Sequence, residues 1–385
     1  MNSDHDPYSD IRPYKDTEVA AVLNGLLYNK ELIGAISHYK FPRLYRYFPS
    51  MTSSMVRIGL ARQFGEMETV RDFQAIVAGF MQKMIGRTTS KISCSGIENL
   101  SPDTAYLFMS NHRDIAMDPA FINWMLYHKD IQTVRIAIGD NLLSKPYVAD
   151  LMRLNKSFIV KRSAKAPREM LKALTHLSSY IDHSIMVDEA SIWIAQREGR
   201  AKDGNDKTDA ALLKMLYMSQ RKQQSFAKAI ERLNIVPVTI SYEFDPCDVH
   251  KAKEMAVKNA GGQYAKSEFE DVESIVAGIT GFKGDVHVHF GELIHETPEY
   301  CDSLTPADLA LQIDAQIQSN YKLHDSNLIA VGQLDNISED KQQAFHARFD
   351  DLSAAEKSIA LAVYAKPHSN SQAQDHILVE GSRSV

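Results

Sequence analysis

The chain is predicted to be an α/β protein, with a central, mostly parallel sheet flanked by helices, a helical N-terminal domain and a helical C-terminal extension. Three observations predict this. From Ile92 onward, short apolar runs alternate with stretches of helical periodicity. Before that point, and again after about residue 300, only the helical period is found. Polar clusters follow directly on several of the apolar runs, as in open α/β sheets whose ligand sites collect at the carboxyl ends of the strands.

Residues 1–87 read as the helical domain. Val19, Val22, Leu23, Leu26 and Leu27 recur at helical spacing, Phe73, Ile76, Val77 and Phe80 do so again, and Pro42 and Pro49 interrupt the pattern between them. Residues 88–300 read as the α/β domain. Strands are expected at Tyr106–Met109, Val134–Ile138, Phe158–Val160, Ser191–Ala195, Ile235–Ser241 and Asp285–Phe290, with helices over Pro119–Tyr127, Pro167–Ile181 and Ala210–Arg232. Residues 301–365 turn acidic and helical (Pro306–Lys322, Asp340–Tyr364). The Ser-, Gln- and His-rich end, 366–385, is expected to be disordered.

A chain of 385 residues can bury a full core. Its formal charge of −6 argues against a nucleic-acid partner. Three widely spaced cysteines, Cys94, Cys247 and Cys301, fit a reducing compartment better than a disulfide framework. The first residues are polar and acidic (Asn2, Asp4, Asp6, Asp10), unlike a signal peptide. No apolar run approaches the roughly 18 to 20 residues a bilayer span requires. The expected location is the cytoplasm, with peripheral contact at the inner face of the cell membrane. Lys40, Arg43, Arg46, Arg57 and Arg62 interleave with Phe41, Tyr45, Tyr47 and Phe48, and no acid occurs from Leu32 to Gly65. Cations favour an anionic lipid surface and aromatic rings favour its headgroup zone.

His112 is the most informative residue. An apolar run, Ala105 to Met109, ends in Ser110-Asn111, and His112 follows at once, with Asp114 and Asp118 just downstream. A strand thus delivers an imidazole to a strand-to-helix junction beside a carboxylate able to fix its tautomer, the arrangement of a general base. Two more polar clusters follow strands: Lys161-Arg162 after Phe158–Val160, and Glu198-Gly199-Arg200 after Ser191–Ala195.

Read together, four blocks between about 90 and 295 resemble the glycerolipid acyltransferase family, whose members acylate glycerol-3-phosphate and lysophosphatidate. The family's His-x-x-x-x-Asp is similar to Asn111-His112-Arg113-Asp114-Ile115-Ala116-Met117-Asp118. Its apolar triplet followed by one residue and Arg is similar to Phe158-Ile159-Val160-Lys161-Arg162. Its Pro-Glu-Gly-x-Arg is similar to Arg197-Glu198-Gly199-Arg200, and its apolar-Val-Pro-Val to Ile235-Val236-Pro237-Val238. The chain departs from the family in two places, which mark a divergent branch. Five residues, not four, separate His112 from Asp118. The third block has Arg197 in place of Pro and lacks the residue between Gly and Arg.

The resemblance implies transfer of a fatty acyl group from an acyl-CoA or acyl-carrier-protein thioester to a hydroxyl of glycerol-3-phosphate or a lysophospholipid. His112 would be the base, held by Asp118, with Asp114 as the alternative partner. Arg162 and Arg200 would bind the acceptor phosphate, since guanidinium matches phosphate oxygens two at a time. Gly199 would allow close backbone approach, and Glu198 would orient the arginines or the acceptor. Asn111, Arg113, Lys161 and Pro237 complete the expected substrate contacts. The mechanism requires no metal or redox cofactor. Two rivals remain: an O-acyltransferase acting on another lysolipid, such as a lyso-aminolipid, and a non-catalytic lipid-binding module of the same fold.

Other motifs carry less. His287 and His289 share a strand face but lack a third ligand, and Cys247 and His250 lack a second pair, so neither is read as a metal site. His112-Arg113-Asp114 is no kinase loop: Pro119 stands where Asn is needed, and there is neither a Gly-rich loop nor an Asp-Phe-Gly triplet. No Gly-x-Ser-x-Gly elbow occurs.

Overall fold

A computed structural model describes residues 6–143, 145–164, 166–267, 269–294 and 303–381. Asn2, Asp4 and Cys301, used above, and the expected boundary at 300/301 lie outside the described residues. The chain opens with α1 (Asp16–Tyr28), α2 (Lys30–Lys40), α3 (Pro42–Tyr47), α4 (Pro49–Phe64) and α5 (Val70–Thr88). There follow β1 (Lys91–Ser95), β2 (Leu107–Ser110), α6 (Met117–Tyr127), β3 (Arg135–Gly139), α7 (Pro146–Leu154), β4 (Ser157–Val160), α8 (Pro167–Met186) and β5 (Ile192–Ala195). Next come α9 (Ala210–Tyr217), α10 (Phe226–Glu231), β6 (Ile235–Tyr242), α11 (Asp248–Asn259), α12 (Glu270–Thr280) and β7 (Asp285–Phe290). The chain closes with α13 (Pro306–Ser319), α14 (Asp325–Ala330), α15 (Glu339–Ala347) and α16 (Ala354–Gly381).

Two compact units result, and their boundary is not the expected one at 87/88. One unit comprises Met1–Phe80 with Arg135–Met170, the other Met81–Val134 with Leu171–Val385. The reason is packing that periodicity cannot show. Leu154 of α7 completes the core of the N-terminal helices, with Val19, Leu23, Leu26 and Phe73. Tyr14 donates to Asp150 at 2.6 Å, and the Ile159 N–H donates to the Ile11 carbonyl at 2.9 Å. In this unit β3 and β4 pair in parallel, Ala137 opposite Phe158.

The second unit holds five strands in the order β1-β7-β6-β2-β5. All neighbours are parallel except β6 and β7. The β2 strand lies between β5 and β6, with Phe108 opposite both Trp193 and Val236, and Leu107, Phe108 and Met109 are buried. A continuous apolar strand of this kind is expected where both faces are covered. Pro237 is buried within β6. Its carbonyl accepts the Gly291 N–H at 2.8 Å, and it has no N–H to return, so the ladder with β7 ends there.

The helices after residue 303 are part of this core. Phe345, Phe349, Leu352 and Tyr364 pack in one cluster with Ala252 of α11. Over its described part the end expected to be disordered is helical, since α16 continues past Lys366 to Gly381, through Pro367, and 382–385 lie outside the described residues. The segment is polar, but Pro367 is the one residue in it that cannot donate to the helix ladder. The single helix expected over Ala210–Arg232 is two, because Ser225 accepts the Lys228 N–H and starts a new helix. The helix expected over Asp340–Tyr364 divides likewise, Ser353 and Glu356 capping the start of the second piece.

Candidate active site

The C-terminal ends of β2 and β5 open toward the same edge of the sheet. Chain leaving β2 forms the loop from Asn111 to Ala116, and chain leaving β5 runs beside it. The two are tied by backbone: Gln196 N–H to Ser110 carbonyl and Ala201 N–H to His112 carbonyl, both 2.8 Å.

His112 stands at the start of the first loop, its side chain 14% exposed. Its Nδ1 lies 2.8 Å from Asp118 Oδ2. A carboxylate only accepts, so Nδ1 donates in this bond, and in the neutral imidazole Nε2 keeps its lone pair. The indole of Trp193 meets the imidazole edge-on with centroids 5.8 Å apart, and is itself fixed by donation to Ser110 Oγ at 2.9 Å.

Asp118, in the first turn of α6, is fully buried and bonded through both oxygens. Oδ2 also accepts the Arg113 N–H at 2.7 Å and the Asp114 N–H at 3.0 Å. Oδ1 accepts the phenol of Tyr242 at 2.7 Å. The extra residue between His112 and Asp118 is thus taken up by a loop wrapped around the carboxylate. Asp114 makes no hydrogen bond to His112. Its Oδ1 accepts the N–H groups of Ala116 and Met117 at 2.9 and 2.8 Å, capping the start of α6, and its Oδ2 is buried. Burial first, and the charge of Asp118 second, push its pKa up to about 6.

Asn111 and Arg113, expected to touch substrate, are buried structural groups. Asn111 accepts the Ile240 N–H at 2.8 Å and donates to the Ile240 carbonyl at 3.0 Å. Arg113 pairs with buried Asp206 at 2.6 Å, donates to the Gly204 carbonyl at 3.2 Å, and has the ring of Tyr321 at 5.9 Å. The Arg113 carbonyl accepts from Lys251, which also pairs with Asp245. Pro237, buried in the sheet, likewise offers no surface for a substrate.

In the β5 loop, Gly199 has φ +76 with nothing within 4 Å of where a Cβ would stand. Glycine suits this left-handed turn, and the space a side chain would fill there is open. Arg200 donates to Ser274 Oγ of α12 at 3.2 Å, and Glu198 is exposed. In the first unit, Lys161 pairs with Asp10 at 2.5 Å, so its ammonium is engaged within the protein. The Arg162 N–H donates to Asp140 Oδ1 at 3.1 Å, and its guanidinium lies against Gly139.

Sequence reasoning missed Tyr242, Asp206, Lys251 and Asp245. Only Tyr242 gave a signal, as a polar group ending a buried strand. The remaining motifs are accounted for by packing. His287 Nδ1 lies 2.8 Å from Ser93 Oγ and its Nε2 2.9 Å from Ser95 Oγ, while Ser95 Oγ also meets His289 Nδ1 at 2.8 Å. Cys247 Sγ points to the Ser274 carbonyl, and burial pushes its thiol up to about 12. No cluster of three or more metal-ligating side chains occurs among the described residues.

An imidazole oriented by a buried carboxylate at the carboxyl ends of parallel strands is an arrangement able to take a proton from a hydroxyl. Residues 91–241 match the family model described as Acyltransferase. Among solved structures, the chain shows a distant likeness to the 1-acyl-sn-glycerophosphate acyltransferase PlsC of Thermotoga maritima. The two are 13% identical, with a TM-score of 0.33, over 78% of this chain and 91% of that one. Comparison with curated proteins gives no match.

Proposed function

We propose that the protein is an O-acyltransferase moving a fatty acyl group from an acyl-CoA or acyl-carrier-protein thioester to a hydroxyl of glycerol-3-phosphate or of a lysophospholipid such as 1-acylglycerol-3-phosphate. The observation that carries this reading is the 2.8 Å contact that leaves His112 Nε2 as an acceptor. Nε2 takes the hydroxyl proton as the oxygen attacks the thioester carbonyl. The tetrahedral intermediate collapses with cleavage of the C–S bond, and the imidazolium returns the proton to the departing sulfur. Asp118 stabilises the imidazolium between these steps. A base so placed contributes about 10²–10⁴-fold in rate.

Arg200 supports a phosphorylated acceptor. It stands in the loop tied to the His112 carbonyl and keeps one nitrogen on Ser274. No step calls on a metal or redox group.

A membrane surface is the proposed source of a lipid acceptor. Tyr39, Phe41, Tyr47, Phe48, Met51, Met55 and Ile58 are exposed, as are Lys40, Arg43, Arg46, Arg57 and Arg62. Met51, Met55 and Ile58 form one exposed stripe of α4, while Thr52 and Val56, about a third of a turn round the helix, are buried. Apolar and aromatic groups set among cations without an intervening acid suit an anionic bilayer. No helix among the described residues is long and apolar enough to cross a membrane.

The test is lipid mass spectrometry of purified protein given several lysolipids and glycerol-3-phosphate with each donor type. Acylation of a phosphorylated acceptor is expected, with turnover lost and donor binding kept in His112→Ala. Acylation of a lyso-aminolipid alone would favour the other O-acyltransferase reading. Equal behaviour of wild type and His112→Ala would leave only the binding module.

A further inference from the structure

The His112–Asp118 pair has a third member. β6 runs on past the end of β2, since Ser110, the last residue of β2, is level with Val238, and Tyr242 lies four positions further. That overhang carries the Tyr242 ring to α6, where it packs 5.9 Å from the ring of Phe121. Its hydroxyl reaches Asp118 Oδ1, the oxygen that His112 does not use.

We propose that Tyr242 is a positioning residue for the acyl transfer, its phenol proton setting how strongly Asp118 holds the charged form of His112. The inference rests on the function proposed above but has a readout of its own. Donors on a carboxylate disperse its charge and weaken its pull on a neighbouring imidazolium. Three of the four donors to Asp118 are fixed by the loop itself: the imidazole and two backbone N–H groups. Tyr242 is the one that comes from another element, and its removal leaves the loop bonds in place. Burial, then the charges of Asp118 and Asp114, hold the phenol well above its ordinary value, so it stays a donor through the neutral range. The other charged groups of this neighbourhood are Arg113 and Asp114 on the loop, Asp206 beyond β5, Asp245 and Lys251 near α11, and Lys283 before β7. All of these are unchanged by Tyr242→Phe.

The experiment is a ¹⁵N-imidazole titration of the full chain in wild type and Tyr242→Phe, with His112→Gln to assign the resonance. Tyr242→Phe is expected to raise the proton affinity of His112 about three- to tenfold. The acid limb of kcat/KM should move up by the same amount, with KM for the thioester within about twofold of wild type. Site-specific 3,5-difluorotyrosine at 242, a stronger donor, should shift His112 the other way, and it serves if Tyr242→Phe does not fold. Coincident His112 titrations in the folded variants would overturn the proposal and leave Tyr242 a packing residue. A wild type that transfers no acyl group, with His112 still shifting as expected, would remove the functional reading and leave the coupling intact.

Discussion

Gly278 of α12 lies directly against the carboxylate of Asp114: a side-chain carbon at 278 would stand 2.1 Å from Oδ2. The carboxylate cannot swing aside, because Oδ1 is held by two N–H groups at the start of α6. Gly278→Ala must therefore displace either α12 or the cap of the helix that carries Asp118. A loss of about 1–3 kcal/mol is expected, read as a lowered urea midpoint, with a fall in turnover. An unchanged midpoint would mean that α12 yields at little cost.

Asp118→Asn tests the charge and spares the shape. The amide oxygen can take the place of Oδ2 among its three donors, and the Tyr242 hydroxyl can turn to accept from the amide nitrogen. The fold should survive while kcat falls about 10²–10⁴-fold. Retention of wild-type kcat would show that His112 needs no charged partner.

Arg113 was expected to bind substrate, and its burial predicts otherwise. Arg113→Met strands buried Asp206, whose pKa burial already raises against the pull of the guanidinium. A loss of about 3–5 kcal/mol is expected. The double variant Arg113→Met/Asp206→Leu should recover much of it, with KM for the acceptor unaltered. A raised acceptor KM at full stability would restore the substrate contact.

Acid should weaken the protein partly through His287. Burial, then the neighbouring Lys322, lower its pKa from 6.5 to about 4, and both of its nitrogens face serine hydroxyls. A histidine with a depressed folded pKa gives stability present above 6.5 and lost as pH falls toward 4. The ring is half-buried, so the effect is on the order of 1 kcal/mol. Asp114, with its raised pKa, contributes with the opposite sign between about 4 and 6. Comparing wild type with His287→Gln by urea midpoint at pH 7 and 4.5 isolates the histidine, and the variant should lose less stability over that interval. Parallel losses would sink the assignment.

Replacing Lys40, Arg43, Arg46, Arg57 and Arg62 by Gln should weaken binding to anionic vesicles by more than about 10²-fold, at about 1 kcal/mol per charge near the surface. The difference should shrink in high salt. Vesicle binding equal to wild type would reject this surface.

The strands were legible because an apolar run leaves a local trace. Asp285–Phe290 is found as expected and the other five to within a residue or two, whereas β1 was missed because Lys91, Ser93 and Ser95 make it look like a loop. His112 and Asp118 were legible from spacing within one loop. Tyr242, Asp206 and Lys251 were not, since their partners lie 93 to 138 positions away along the chain and only folding brings them together. Arg113 was misread for the same reason: the chain shows a charge, and only the fold shows the carboxylate that neutralises it.

Asn111 presents Ile240 with a counterfeit peptide group, its amide standing in for main chain that has already left the sheet. The substitute works only because one end gives a proton and the other takes one. Conversion of this amide to an acid, by mutation or by slow chemical ageing, would turn two lone-pair-bearing oxygens on each other. The hinge from which the imidazole hangs would fail without any change at the imidazole itself.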